Sequence, residues 1–307
     1  MIDAYAHVGL PRFQSLSDYR NVMAGAGIAR AVLCAFDSAP DLAALHDAIT
    51  TEPDRFRAIG VPLGHGRAEV EAACRAQLVA GFSGLRLTAG DVTERPWLLD
   101  VLAERDGIAL VVGAVASPGC AAPLVAYLDR NKRAAVVGGH FAGVATPNVL
   151  DDPAVALLFA HPRFFVQFSR QGAWPPGLVQ AWSRAVLART GWSRVMWGSE
   201  ATVLFWRNET MADAAAWVDV LTPGAAERES FFEEAARRLY FTHSIQLAPL
   251  VLPFEAASRA NPVPAVLWAN GLPVDQALAG RLVHAWLADG GVGTLGGYAT
   301  GLLNKTL

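Results

Sequence analysis

The sequence contains little cysteine, and no two cysteines have the spacing of a metal site or a redox motif. Its three cysteines, Cys34, Cys74 and Cys120, are odd in number and far apart. Such a set argues against a disulfide framework, and thiolate zinc sites usually need closely spaced CxxC pairs. We therefore expect three buried free thiols and no metal site made of cysteine.

The sequence also lacks any concentration of positive charge and any long apolar run. Its net charge is −3, only 17% of its residues are charged, and no run of Lys or Arg occurs. This argues against the basic surface that nucleic-acid-binding proteins use. No segment approaches the roughly 20 apolar residues that cross a bilayer, and the first residues do not resemble a signal peptide. We expect a cytoplasmic protein that has neither a nucleic acid nor a membrane as partner.

Hydrophobic residues make up 53% of the chain, and many of them form short runs at regular intervals. Eight runs have the composition of buried strands, and the stretches between them have helical apolar spacing. Eight strand and helix units favour a closed (β/α)8 TIM barrel over an open doubly wound sheet, which usually has about five or six strands. The predicted strands are 2–7, 31–36, 58–63, 84–88, 109–114, 135–140, 164–169 and 194–198.

The chain is longer than the barrel requires. The amphipathic segment Phe231–Phe241 predicts a helix that closes the barrel, so we place the barrel at residues 1–245. The remaining residues, 246–307, are interrupted by prolines and rich in apolar side chains. We expect a mostly helical and loop extension that packs on the barrel or on a second subunit, which would make the protein a homo-oligomer such as a homodimer. One helix in it is marked by Val274, Leu278, Leu282 and Trp286.

Catalytic side chains of (β/α)8 barrels come from the carboxyl ends of the strands, so polar residues at these positions are the candidates. Tyr5 and His7 share one face of the first strand, because side chains alternate along a strand. The other candidates follow later strands, and they are His65, Arg86, His140, Gln167, Ser169, Ser199 and Glu200.

An aromatic group follows the eighth strand. It either forms the wall of a pocket for a flat or apolar substrate or packs in the core. It consists of Trp197, Phe205 and Trp206, with Arg207 beside them.

Five motifs give these candidates a context. Asp3-Ala-Tyr5-Ala-His7 resembles D-x-H-x-H, the GFSGLRL of residues 81–87 resembles GxxG(V/L)(R/K)L, and His140 lies in an HxG-like element at residues 139–143. Residues 197–200 (WGSE) resemble GSD, and residues 234–240 (EAARRLY) resemble E-N-A-x-R-L-(F/Y). In this order they resemble the amidohydrolase superfamily, in its amidohydrolase-2 branch of decarboxylases, hydratases and lactonases. The resemblance spans residues 1 to about 245 and implies a TIM barrel with a catalytic histidine at His140.

The departures from these motifs concern the metal site that the resemblance implies. Tyr5 stands where the family has its first histidine, Gly113 or Ala114 replaces its fifth-strand histidine, and Glu200 replaces its aspartate. Zinc and manganese sites normally need three or more protein ligands. We expect no metal cofactor; the alternative is a zinc or manganese ion held by the three remaining groups, His7, His140 and Glu200.

Without a metal, acid–base and electrostatic catalysis by side chains has to replace it. We expect His140 to act as general base or acid, and Glu200 to orient His140, act as a base or balance Arg86. Arg86 either binds a substrate carboxylate bidentately or forms an ion pair with Glu200. Tyr5 and His7 either donate hydrogen bonds to a bound oxyanion or fill the space that the metal would have occupied. Further substrate contacts are expected from His65, Gln167, Ser169, Trp206 and Arg207.

Two functions follow from this site. The first is a metal-independent hydrolase acting on a small carboxylated or cyclic substrate, a lactone or an amide; hydration and decarboxylation stay open. Decarboxylation is less favoured, because the family generally uses the metal to hold the substrate. The second is a catalytically silent barrel that binds a ligand or serves as the partner subunit of another enzyme. The retained polar side chains favour the enzyme, since a purely structural barrel does not need them.

Overall fold

The computed structural model describes residues 1–9, 12–37 and 40–253. These residues contain eight parallel strands, and each strand pairs with the next one along the chain. The predicted (β/α)8 barrel is confirmed. The strands are β1 (Ile2–Ala6), β2 (Arg30–Cys34), β3 (Phe56–Gly60), β4 (Gly84–Thr88), β5 (Ile108–Val112), β6 (Ala135–Gly138), β7 (Phe164–Phe168) and β8 (Val195–Trp197).

The last strand meets the first through the residues that follow β8. The Glu200 amide donates to the Tyr5 carbonyl at 2.8 Å, and the His7 amide donates to the Ala201 carbonyl at 2.6 Å. A buried carboxylate, Asp3, strengthens this junction by accepting from the Ser199 amide at 2.9 Å and from the Ser199 hydroxyl. The residues that close the barrel are thus directly adjacent to the candidate site.

Helices surround the sheet and connect its strands. One short segment, Gly139–Ala142 (α7), is a left-handed turn rather than a regular helix, because its backbone angles are not helical. The helices are α1 (Leu16–Ala26), α2 (Leu42–Thr51), α3 (Gly66–Val79), α4 (Ala89–Glu94), α5 (Trp97–Ala103), α6 (Pro118–Arg130), α7 (Gly139–Ala142), α8 (Pro153–Ala160), α9 (Pro176–Thr190), α10 (Val203–Trp206), α11 (Met211–Ala216), α12 (Ala225–Glu229) and α13 (Ala235–Tyr240).

The hydrophobic residues of the strands divide into an inner and an outer core. Parallel strands that are covered on both faces need apolar side chains on both faces, which explains runs such as IALVV in β5. Ile2, Val32, Ile59 and Leu110 belong to the cluster inside the barrel. A larger cluster lies between the strands and the helices. No helix of the described residues is long and apolar enough to cross a membrane.

Most strand ends differ from the predicted ones by one to three residues, and two boundary differences change the local structure. The sixth strand was expected to reach His140 but ends at Gly138, because His140 begins the left-handed turn α7. The closing helix starts earlier than expected, as a π-helical segment, Ser230–Glu234, joins α12 to α13 in one continuous element.

The first residues of the predicted extension lie on the barrel. The Ala248 carbonyl is 2.8 Å from the His46 ring, and Leu250 and Leu252 pack on the outer core. Residues 246–253 form neither a helix nor a strand. The helix expected at residues 274–286 lies outside the described residues, and the expected packing role and homo-oligomer stay predictions.

Candidate active site

Six of the predicted side chains meet where the strands end at their carboxyl termini. Tyr5 is at the centre of this group. Its ring centroid is 4.9 Å from the His7 ring and 5.2 Å from the His140 ring, edge-on to both. The remaining members contact Tyr5 or His140, and they are Arg86, Ser169 and Glu200.

The backbone at His140 has a left-handed conformation that residues other than glycine rarely adopt. His140, Phe141 and Ala142 all have positive φ angles, 52°, 60° and 55°. For residues other than glycine, this left-handed conformation costs about 1–2 kcal/mol per residue. Gly143 continues the turn at φ 62°, and a Cβ there would lie 1.8 Å from the Gly113 carbonyl oxygen. Strain of this kind persists only when surrounding contacts impose it, and it is found most often at functional sites.

The contacts that impose the turn come from the neighbouring side chain. Phe141 is fully buried, with its ring 4.7 Å from Phe168 and 5.7 Å from Trp217. Trp174 and Trp182 complete the aromatic group around it. Buried aromatic pairs contribute about 0.5–1.5 kcal/mol each beyond the area they bury. Packing of Phe141 thus holds His140 at the barrel mouth.

The His140 ring lies between a hydroxyl and a carboxyl group. Its Nδ1 is 2.9 Å from the Ser169 hydroxyl, which can donate or accept and so holds the ring in either tautomer. Its Nε2 is 3.7 Å from Glu200 Oε1, too far for a direct hydrogen bond. Burial, and then the positive charge of Arg86, hold the pKa of His140 well below its ordinary value. The imidazole is therefore neutral and able to accept a proton.

Glu200 also has a left-handed backbone, at φ 57°, and its carboxyl group is buried. Arg207 donates to Glu200 Oε2 at 2.9 Å and to Glu209 Oε2 at 3.1 Å. Burial raises the pKa of Glu200, although the charge of Arg207 opposes this. The alternative in which Arg86 forms an ion pair with Glu200 is not seen among the described residues; Arg207 pairs with Glu200 instead, because the short helix α10 brings it back over the carboxylate.

The position of the ring proton is fixed in His7, whereas His140 can hold its proton on either nitrogen. The Nδ1 of His7 is 2.7 Å from the Cys34 carbonyl, which can only accept, so the proton lies on Nδ1. Burial lowers the pKa of His7 to about 3, and the ring is neutral at ordinary pH. Its Nε2 is then an acceptor. The expectation that His7 donates a hydrogen bond to an oxyanion is incompatible with this arrangement.

Tyr5 and Arg86 form a pair in the barrel interior. Arg86 Nε donates to the Tyr5 hydroxyl oxygen at 3.0 Å, and the guanidinium carbon lies 4.8 Å from the centre of the Phe36 ring. Burial raises the pKa of Tyr5 to about 12, so the hydroxyl keeps its proton. The oxygen of Tyr5 accepts from Arg86 while its proton is available for another group.

Aromatic rings cover one side of the mouth. Phe13 stacks on His7 at 4.8 Å and on Trp206 at 5.9 Å, and Phe36 meets both Phe13 and His7 edge-on. Trp206 thus lies near the site, as predicted. Trp197 does not, since it is fully buried in the outer core and donates to the Ala214 carbonyl at 2.7 Å.

Two predicted substrate contacts have no hydrogen bond to this group of six side chains among the described residues, although Gln167 Oε1 lies near Gly139, next to His140. His65 is exposed at the start of α3, where its backbone amide donates to Glu69. Gln167 is buried inside the barrel and donates to the Ala4 carbonyl at 2.6 Å, and its Oε1 has no hydrogen-bond partner within the described residues. Their roles in substrate binding stay predictions.

Sequence reasoning passed over the residues that support the site. Asp3 is fully buried and accepts from Tyr19 at 2.8 Å as well as from Ser199, while burial raises its pKa. Its place at the start of D-x-H-x-H was a signal that it has a fixed position. Phe141 had no sequence signal, because its aromatic partners lie far away along the chain. Glu209, which binds Arg207 and Gln171, belongs to none of the motifs.

The residues present do not fit a divalent metal ion. Within the ranges that the structure describes, no three His, Cys, Asp or Glu side chains converge closely enough to hold one. The Tyr5 ring packs edge-on against the imidazoles of both His7 and His140, and Arg207 already binds one oxygen of Glu200. That the protein works without a metal stays a prediction.

Comparison with known proteins gives this geometry a context. A family model described as amidohydrolase matches residues 3–242, which is most of the chain. A search of curated protein sequences finds no significant match.

Several solved structures have a similar fold. One from Acinetobacter baumannii, assigned as a 2-pyrone-4,6-dicarboxylic acid hydrolase and solved with citric acid bound, is 17% identical at a TM-score of 0.60, with 78% of this chain and 98% of that chain covered. One from Pseudomonas putida with the same assignment is 24% identical at 0.58, covering 78% and 96%. The 5-carboxyvanillate decarboxylase from Sphingomonas paucimobilis is 13% identical at 0.53, covering 75% and 84%. At these identities the similarity shows the fold.

Proposed function

The chain belongs to the amidohydrolase family, and on that premise we propose that it is a hydrolase that opens a small cyclic substrate, a lactone or cyclic amide that carries a carboxylate. The observation that carries this proposal is the arrangement of His140. Its neutral ring is fixed by Ser169 and faces Glu200 across 3.7 Å, at a mouth where Arg86 has no carboxylate partner among the described residues.

The separation between His140 and Glu200 suits a water molecule. A water oxygen beside the line from His140 Nε2 to Glu200 Oε1 can form hydrogen bonds of ordinary length with both atoms. His140 removes a proton from this water as its oxygen attacks the carbonyl carbon of the substrate. The carbonyl π electrons move to its oxygen, and the resulting negative charge is stabilised by the Tyr5 hydroxyl.

The second half of the reaction returns the proton. The electron pair on the oxyanion re-forms the carbonyl, and the ring bond to the leaving oxygen or nitrogen breaks. The leaving atom takes the proton from His140, so the imidazole is neutral again and the product is the open-chain acid. Arg86 binds the substrate carboxylate in this scheme.

The comparisons support hydrolysis of a lactone in particular. A pyrone is an unsaturated lactone, and two of the similar structures are assigned as hydrolases of a pyrone dicarboxylic acid. A decarboxylase is also among the similar structures. We favour hydrolysis, because the pair of His140 and Glu200 can activate a water and the residues present do not fit the metal that would hold a substrate for decarboxylation.

The test is a ring-opening assay on metal-analysed protein. The panel contains 2-pyrone-4,6-dicarboxylate, the uncharged δ-valerolactone and a cyclic amide, and hydrolysis is followed by absorbance or released acid. We expect the carboxylated lactone to be opened and the uncharged one to react poorly. His140→Asn should lower kcat/KM about 10²–10⁴-fold. His243→Asn, which changes an exposed histidine at the other end of the barrel, is the matched control.

Binding without turnover would support the silent barrel instead. If calorimetry detects the pyrone dicarboxylate and no substrate of the panel is opened, the protein is a ligand-binding member of the family. Equal activity in His140→Asn and in the wild type would contradict the proposed role of His140.

A further inference from the structure

Arg86 is a buried cation whose bonding capacity is mostly unused. Only 9% of the residue is exposed, and within the described residues its guanidinium makes one hydrogen bond, from Nε to the Tyr5 hydroxyl. No carboxylate of these residues lies within ion-pair distance of it. The carboxylate of Asp37 acts on Arg86 only from beyond ion-pair distance. A buried charge without a direct ion pair is costly, so its two terminal nitrogens would gain from binding an anion.

The position of this charge is fixed by two aromatic side chains. Tyr5 holds Nε at 3.0 Å, and the Phe36 ring lies under the guanidinium at 4.8 Å. Arginine presents its donors as a rigid fork, so fixing Nε and the plane also fixes the direction of the two terminal nitrogens. Tyr5 is therefore a positioning residue for Arg86.

Tyr5 and Arg86 also disfavour the binding of a divalent metal ion at this site. The Tyr5 ring packs edge-on against the imidazoles of both His7 and His140 and fills space beside these two neutral nitrogen ligands. The charge of Arg86 acts on both rings and would repel a divalent cation placed between them. A barrel with this pair has a permanent positive charge where other hydrolases of this kind have a metal.

We propose that the Arg86 guanidinium, positioned by the Tyr5 hydroxyl, replaces the metal ion as the positive charge of this site, so that the barrel binds a carboxylate anion there and excludes divalent metals. The inference rests on the proposed function for the charge of the substrate. It deepens that function by naming the group that takes the metal's place.

The first experiment measures metal binding, which needs no substrate. Zinc is titrated by calorimetry into the wild type, Tyr5→His, Arg86→Met and the double variant, and bound zinc is counted after dialysis. We expect stoichiometric zinc in the double variant alone. Arg86→Met keeps the Tyr5 ring beside the imidazoles, and Tyr5→His keeps the opposing charge, so each should bind zinc at least about tenfold more weakly than the double variant.

The second experiment measures anion binding with benzoate as the probe in metal-free buffer. Arg86→Met should weaken benzoate binding at least about tenfold, and Tyr5→Phe should weaken it severalfold because the guanidinium loses its anchor. Arg86→Lys retains the charge without the fork, so it should still exclude zinc but bind benzoate less tightly. Arg170→Met, which removes an exposed charge near the same mouth, should change the benzoate affinity less than threefold.

The results separate this inference from the proposed function. Stoichiometric zinc in the wild type, or equal zinc affinity in Tyr5→His and the double variant, would overturn the exclusion of metals by Arg86. Equal benzoate affinity in the wild type and Arg86→Met would overturn the anion site. If benzoate binds as expected but no lactone is opened, the inference stands and the hydrolase proposal fails. Circular dichroism of each variant shows whether it is folded.

Discussion

The two ends of the barrel both contain buried or half-buried arginines, but their guanidinium groups have different partners. At the amino-terminal end, Arg57 donates to four backbone carbonyls, of Pro53, Phe56, Tyr240 and His243. Arg163 and Arg194, just before β7 and β8, also donate to backbone carbonyls of the preceding segments. At the mouth, Arg86 donates only to the Tyr5 hydroxyl among the described residues.

This difference distinguishes structural arginines from functional ones. Helices and loops end with carbonyl groups that have no partner of their own, and an arginine beside them satisfies several at once. Arg57, for example, uses four of its five N–H donors on backbone carbonyls. Arg86 has two terminal nitrogens left, and its partners in the chain fix its position rather than use up its bonding capacity. A ligand can bind to the hydrogen-bond donors that the fold leaves unused.

Among the substitutions that test this difference between the two ends, Arg57→Met is expected to have the largest effect, and it acts on stability. The substitution leaves four backbone carbonyls without their donor, and hydrogen bonds to charged groups contribute about 1.5–3 kcal/mol each, not all of them additive. We expect the free energy of unfolding to fall by about 3 kcal/mol or more in urea titrations. Arg105→Met, an exposed change at the same end, should alter it by less than about 0.5 kcal/mol.

Arg207→Met is expected to change the pH dependence of activity. Arg207 opposes the effect of burial on Glu200, so its removal should raise the pKa of Glu200 further. If ionised Glu200 orients the water, the acid limb of kcat/KM moves to higher pH. Arg207→Lys keeps the charge and should move the limb much less. An unmoved limb in Arg207→Met would exclude Glu200 as the group that the limb reports.

Acid should destabilise the protein through its neutral histidines. The pKa of His7 is about 3 in the folded protein and about 6.5 when unfolded, so its contribution to stability is present above pH 6.5 and is lost as the pH falls towards 3. The loss approaches about 1.4 kcal/mol per pH unit for one histidine. His7→Asn, which can still donate to the Cys34 carbonyl, should reduce the slope of unfolding free energy against pH by about one proton.

The smallest effect on stability is expected from Arg86→Met. The change removes a buried charge that has one hydrogen bond, and replacing a poorly paired buried charge by an apolar side chain is often neutral. We expect the free energy of unfolding to change by less than about 1 kcal/mol. A loss as large as that of Arg57→Met would show that Arg86 is structural, and the contrast between the two ends would not hold.

Most of the fold was predictable because local patterns repeat. Runs such as AVLC in β2 and IALVV in β5 have the composition of strands buried on both faces, and eight of them specify a barrel. The end of the sixth strand was predicted incorrectly. Its last predicted residue, His140, leaves the strand because Phe141 is held among Phe168, Trp174, Trp182 and Trp217, all distant in sequence.

The composition of the site was predictable, but its pairings were not. The carboxyl ends of the strands must converge in a barrel, so Tyr5, His7, Arg86, His140, Ser169 and Glu200 were expected to meet. The partner of Glu200 is Arg207 rather than Arg86, because α10 folds back over the mouth. The proton of His7 is fixed by the carbonyl of Cys34, a backbone group on the next strand that no residue pattern indicates.

The sequence by itself determined that eight apolar strands form a barrel, that Tyr5 replaces a histidine, and which polar side chains line the mouth. These properties follow from periodicity and residue identity, which are local. Three features arise from the folded structure alone: Tyr5 binds Arg86, Arg207 binds Glu200, and two terminal nitrogens of Arg86 have no partner among the described residues. Such pairings depend on distances of a few ångströms between groups far apart in the chain, and hydrogen bonds and charges respond steeply to those distances.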